Sequence, residues 1–197
     1  MSTLTFTTVK AATPPRPKIW TYEDYLRLPD DGKRYEIIEG VLYMANAPSY
    51  EHQFTVSVLN RKLGNYVDDH HLGVVLVAPF EIHLPNIAKP VQPDVFFIRA
   101  AHQPQDPLQI FEGAPDLIVE IISPSSVRLD RTIKFSAYER SGVKEYWLVD
   151  LRTRFIEIYT LAENGEYELL GQFGPGEQTR SQILPELAIT VDNLFHL

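Results

Sequence analysis

The sequence contains no cysteine. That excludes a disulfide framework, a thiolate zinc site and a cysteine nucleophile. It has no apolar run of the roughly 18–20 residues that a membrane span needs. Its first twenty residues hold no apolar core of a secretory leader. A cytoplasmic protein with no membrane association is the expectation. A basic excess is missing too. The 18 Lys and Arg residues are outnumbered by 26 Asp and Glu, for a net charge of −8. Strong non-specific nucleic-acid binders are usually basic, so the balance argues against one. It leaves open an enzyme that meets phosphates through a metal ion. There is no internal repeat and no low-complexity tract. The 15 prolines are scattered at element boundaries.

What is present fits one domain with an arm, since 197 residues can bury a substantial core. Residues 1–18 are Thr-rich and then carry Pro14-Pro-Arg-Pro17, which predicts a flexible N-terminal arm ahead of a single domain over 19–197. Thr21 and Asp24 resemble a capping box and open a short helix over 22–28. Arg34 to Met44 alternates around Gly40 and predicts a hairpin. Ser49 is a plausible N-cap for a long helix over 50–67, with Phe54, Val58, Leu59, Leu63, Tyr66 and Val67 as its buried stripe.

Strands are predicted at 73–78, 79–84 and 91–98, with a loop over 85–90 and a long loop over 100–113. A helix from Asp130, read as its N-cap, runs to Ser141, with Gly142 as its stop. Strands at 144–150, 154–159 and 167–171 follow, the last two joined through Asn164-Gly165 as an antiparallel meander. Residues 191–197 suggest a short last helix. The order gives an α/β (α+β) fold: one mixed β-sheet core flanked by helices, with an N-terminal hairpin and a C-terminal meander.

The chain is organised around Asp116-Leu-Ile-Val-Glu-Ile-Ile-Ser-Pro-Ser-Ser126. A nearly continuous apolar run is a strand covered on both faces. Glu120 stands inside it, and a carboxylate there must be paired, protonated or metal-bound. A second acid, Asp94, opens the run Val95-Phe-Phe-Ile98; Pro93 confines it to the strand's beginning. Two acids on neighbouring core strands can hold a hard divalent cation, and Mg²⁺ needs only one or two protein carboxylates. The plain alternative is that each acid pairs with a Lys or Arg. Lys134 falls in the predicted first turn of its helix, where the dipole disfavours a cation, and this argues for a specific partner. Tyr138 lies one turn further on. His52 lies in the first turn of the long helix, an end that favours anions.

These residues, taken in order, resemble the PD-(D/E)XK restriction-endonuclease-like superfamily and, more nearly, the Uma-two family of endonucleases within it. The similarity runs from about Trp20 to the C-terminus. It includes Tyr35-Glu-Ile-Ile-Glu-Gly40, Pro48 to Gln53, Gln92-Pro-Asp94, Glu120-Ile-Ile-Ser-Pro-Ser125, Lys134, Tyr138 and Gly142 to Asp150. The resemblance implies a restriction-endonuclease-like core and Mg²⁺- or Mn²⁺-dependent hydrolysis of phosphodiester bonds in DNA. It implies Asp94 and Glu120 as metal ligands and Glu36, with Glu39 second, as the additional early acid.

The sequence departs from the pattern at the third motif position, which is Ile122 in place of Lys. Lys134 is then expected as a migrated lysine that orients the attacking water. His52, Tyr138 and Arg131 are expected as substrate contacts. Arg128, Arg131, Lys134 and Arg140 are expected as a local basic groove, and a homodimer as the assembly. The competing expectation is a catalytically degenerate nuclease-fold module that binds nucleic acid or a protein. A glycosidase built on Glu120 and Asp94 ranks last, because the aromatics have core spacing.

Overall fold

The structure, a computed structural model, describes residues 18–104 and 110–195. Apart from Lys18, the arm expected over 1–18 lies outside the described residues. In chain order the elements are α1 (Tyr22–Tyr25), β1 (Arg34–Ile38), β2 (Val41–Ala45), α2 (Tyr50–Asp69) and β3 (Gly73–Val77). Next come β4 (Glu81–Leu84), β5 (Ala88–Val91), β6 (Val95–Arg99), β7 (Ile110–Glu112) and β8 (Leu117–Ile122). A helical segment ending in α3 (Phe135–Ser141) leads to β9 (Glu145–Asp150), β10 (Phe155–Leu161) and β11 (Tyr167–Phe173). A 3-10 turn, Val191–Leu194, falls where the last helix was expected.

The local signals behave as their chemistry dictates. Thr21 and Asp24 form the reciprocal capping box. Ser49 accepts the His52 backbone N–H at the start of α2. The predicted stripe of α2 is its buried face, with Val58, Leu59, Leu63 and Val67 all in the core. The β1–β2 hairpin turns through Glu39 and Gly40, both at positive φ, the twist-compatible two-residue turn.

The single sheet expected from the sequence is two. The larger has the order β11-β10-β9-β8-β6-β3 and the smaller β2-β1-β5-β4-β7. The chain leaves the larger sheet after β3, builds β4 and β5 in the smaller, and returns with β6. Strands β5 and β7 lie in stretches read as loops. β5 is four residues long and contains Pro90, which sits beside a register shift in the β4–β5 pairing. β7 is three residues long and pairs in parallel with β4. Neither shows a pattern apart from its distant partners.

The larger sheet is covered on both faces. Leu117, Val119 and Ile121 of β8 pack toward α2 and the C-terminal segment. Ile118 and Ile122 pack toward the smaller sheet and α3, with Phe96, Ile98, Ile38 and Tyr138. This explains the continuous apolar run of β8. Strands β8 and β9 are parallel, and the helical segment crosses between them.

That segment corrects the expectation at Asp130, which is not an N-cap. The backbone is already helical at Arg128, Leu129–Lys134 forms a π-helical turn, and α3 follows directly. Lys134 therefore lies in mid-segment, not in a first turn. The stop is at Gly142, whose left-handed φ of 85° admits glycine without strain.

Candidate active site

Strands β6 and β8 are antiparallel, with Val95 opposite Val119 and Phe96 opposite Ile118. Continuing that register by one residue sets Asp94 opposite Glu120. Opposed residues share a sheet face, with Cβ atoms roughly 4.5–5.5 Å apart. Alternation puts both acids on the face of Phe96, Ile118 and Ile122, toward the smaller sheet. The two acids of the sequence motif thus meet because the strands pair there.

Lys134 reaches the same point from the helical segment. Its Nζ donates to Glu120 Oε1 at 2.9 Å and lies 3.0 Å from Glu36 Oε1. Tyr138 donates its hydroxyl to Glu120 Oε1 at 2.7 Å. Glu36 comes from β1, and its Oε1 also accepts the Gln92 backbone N–H at 2.7 Å. The apolar Ile122 holds the strand position at which the motif expects Lys, and Lys134 brings its ammonium to Glu120 from the helix. Burial alone would lower the Lys134 pKa. The carboxylates of Glu120, Glu36 and Asp130 outweigh it and hold the ammonium well above its ordinary range. The surrounding carboxyl groups thus favour the ammonium form of Lys134.

The acids respond in opposite ways. Burial pushes Glu120 up to about 8; Lys134 opposes this, while Asp94, Asp130 and Glu36 add to it. Burial acts on Asp94 in the same direction. The hydrogen bond and charge of His52, with the Ile121 amide, overcome it and hold Asp94 below the usual carboxylate range. His52 Nε2 lies 3.1 Å from Asp94 Oδ2, and Ile121 N–H donates to the same oxygen at 2.9 Å. Among the described residues His52 Nδ1 is buried without a hydrogen-bond partner, so the ring is tied to the site through Asp94.

These groups border a cavity of 540 Å³, lined among others by Arg34, Glu36, His52, Gln92, Asp94, Glu120, Asp130, Lys134 and Arg152. Two of these carry chemistry that the sequence reading did not assign. Arg34, the first residue of β1, has Nη1 3.5 Å from Asp94 Oδ1. Asp130 is buried on the cavity wall, and burial pushes it up to about 6. The spacing 130, 134, 138 was the signal for Asp130, since it marks one stripe along a helix.

Other expected residues do not line the cavity. Tyr138 is fully buried and touches Glu120 from behind. Arg131 turns away to Glu157, 2.6 Å from its Nη1, and to Asp150. Arg140 is paired with Glu39 in the exposed hairpin turn, which takes Glu39 away from the cavity. The arginines expected to form a basic groove with Lys134 are thus spread over the helix, and two of them are neutralised by carboxylates.

Asp94 and Glu120 are the residues that could hold a divalent ion. Among the described residues no three His, Cys, Asp or Glu side chains form a ready cage. An ion needing many protein ligands is therefore a poor match. Mg²⁺ or Mn²⁺ suits two carboxylates, with water and phosphate filling the other positions. Glu36, Asp94, Glu120 and Asp130 place four carboxyl groups on the cavity wall, beside the buried ammonium of Lys134 and the guanidinium groups of Arg34 and Arg152.

The architecture that brings these side chains together is shared with a solved protein. A crystal structure described as that of "a putative nuclease belonging to DUF820", from Anabaena variabilis ATCC 29413, superposes with a TM-score of 0.75. The match covers 89% of this chain and 97% of that one at 20% sequence identity. No curated protein matches in sequence. The chain belongs to the Uma2 family, described as "Putative restriction endonuclease", whose model matches residues 22–192.

Proposed function

We propose that this chain is a divalent-metal-dependent endonuclease that hydrolyses phosphodiester bonds in DNA. Asp94 and Glu120 would hold Mg²⁺ or Mn²⁺. The observation that carries the reading is the placement of the Lys134 ammonium between Glu36 and Glu120, with Asp94 across the strand pair. Family membership and nuclease architecture support it independently.

The ion, when bound, supplies charge neutralisation at the phosphate and a lower pKa for the attacking water. The side chains do the rest. An ammonium has three donors, and Lys134 spends two on carboxylates. The third is available to orient water or to meet the charge that develops on phosphorus-bound oxygens. Tyr138 and Lys134 both bond Glu120 Oε1, which leaves Oε2 to the ion. His52 and the Ile121 amide likewise occupy Asp94 Oδ2 and leave Oδ1. A homodimer belongs to the same reading, since edge strands β2 and β11 expose Val41, Met44, Leu169 and Leu170. Sedimentation of the full chain tests it.

The activity is tested by calorimetric titration of Mn²⁺ into wild type and the Asp94→Ala, Glu120→Ala double variant. The same samples are incubated with single- and double-stranded DNA and with RNA. The expected result is binding and DNA cleavage by wild type, both lost in the variant. Binding without cleavage of any strand would favour a nuclease-fold module that binds nucleic acid or a protein, a reading to which the apolar Ile122 already lends weight. No binding by wild type would overturn the metal site.

A further inference from the structure

Four cationic or cation-capable side chains border the cavity, and they are not equivalent. Lys134 is buried and locked by two carboxylates. His52 is buried and held by Asp94. Arg152 lies in the exposed turn after β9. Arg34 differs from all three. Its side chain is 27% exposed, and among the described residues Asp94 is its one ionic partner, at a loose 3.5 Å.

The oxygen it touches is the informative point. Asp94 Oδ2 is filled by His52 and the Ile121 amide. Oδ1 is the oxygen left to a metal, and the Arg34 guanidinium stands against it. Two cations cannot both own that oxygen without repulsion. A guanidinium also matches a phosphate in geometry, through paired N–H donors.

We infer that Arg34 is a movable counter-ion: it holds Asp94 Oδ1 in the metal-free protein, gives up that oxygen to the divalent ion, and turns to a phosphate oxygen of the nucleic-acid strand. The inference rests on the metal-dependent reading above. It assigns Arg34 two opposed effects, weakening the bare ion and strengthening the phosphodiester. A residue that merely packs the cavity wall produces neither.

The test uses the full chain as wild type, Arg34→Met and Arg34→Lys. Mn²⁺ alone is titrated by calorimetry. A short single-stranded DNA oligonucleotide is then titrated by fluorescence anisotropy in Ca²⁺, with Mn²⁺-supported cleavage measured separately. Removing a competing charge at this range is expected to tighten Mn²⁺ in Arg34→Met by about tenfold. Oligonucleotide affinity is expected to fall by about tenfold in the same variant, as for one lost charge-assisted contact. Arg34→Lys, which keeps the charge, should stay within about threefold of wild type for Mn²⁺. Thermal melting of all three proteins identifies any variant that fails to fold, and Arg34→Gln then replaces it. Unchanged or weaker Mn²⁺ binding in a folded, uncharged variant overturns the inference while leaving the metal site standing. Tighter Mn²⁺ with unchanged oligonucleotide affinity also overturns it, since the phosphate half is then wrong. If wild type itself takes no Mn²⁺, the metal-dependent reading fails, and that failure is seen before any variant is compared.

Discussion

At the scale of single residues, the site is governed by how burial sets one charge against another. Glu120 shows this most directly. Burial pushes its carboxyl up to about 8 in the folded chain, against 4.5 for an ordinary glutamate. Between those values the folded chain binds a proton that the unfolded chain has released. Stability of the metal-free protein therefore falls as pH rises from about 4.5 to about 8. Glu120→Gln substitutes a permanently neutral group of the same shape. Its Tm should match wild type to within a few degrees at pH 5 and exceed it by about 5 °C or more at pH 9. Melting curves in a chelator check this, and the same variant should lose Mn²⁺ binding. Equal Tm values at both pH extremes would mean that Glu120 is ionised throughout. The sequence revealed that a buried acid here had to be compensated. The resemblance named Lys134 as the lysine of this site, but its contact with Glu120 was not legible, because it lies fourteen residues away on a segment whose winding decides its direction.

At the scale of elements, legibility followed the locality of the signal. The capping box, the Ser49 cap, the α2 stripe and the hairpin depend on neighbours within a few residues, and all are present. Strands β5 and β7 depend on pairing with distant chain and were read as loops. The π-helical turn was also unreadable. It needs an extra residue accommodated by packing, and no residue type announces it. Asp94 and Glu120 were legible as strand acids; their opposition came only from the β6–β8 register. A separate test of element against site lies at Gly73, at the far end of the β3–β6 pair from Asp94. Its φ is +154°, and an added Cβ would stand 2.0 Å from the Ile98 carbonyl oxygen. Gly73→Ala should force β3 off the sheet edge at a cost of about 3 kcal/mol, a fall of roughly 6–12 °C in Tm. Mn²⁺ affinity of the folded protein should stay within about twofold, because the clash is local to the other end of the strand. Calorimetry and melting on one preparation separate the two effects.

At the scale of the molecule, a net charge of −8 sets the terms for the polyanionic substrate proposed above. Arg34 and Arg152 are the cavity cations not locked by burial. Two phosphate contacts give a log–log salt slope of about −1.4 for single-stranded DNA. Anisotropy titrations in Ca²⁺ between low and moderate salt should find that shallow slope, and a slope several times steeper would locate the binding surface elsewhere. The two sheets carry a further consequence. Glu36 and Arg34 belong to the smaller sheet, while Glu120 and Asp94 lie on or beside strands of the larger. The Lys134–Glu36 and Arg34–Asp94 contacts are thus ionic ties across the interface between them. They add to the apolar cluster that the two sheets share, and removing one is expected to loosen the smaller sheet first. In hydrogen–deuterium exchange, Lys134→Met should speed exchange of the β1 and β5 amides while those of β8 and β9, enclosed on both faces, keep their protection. The side chains of the candidate site would then also help decide whether the smaller sheet breathes alone.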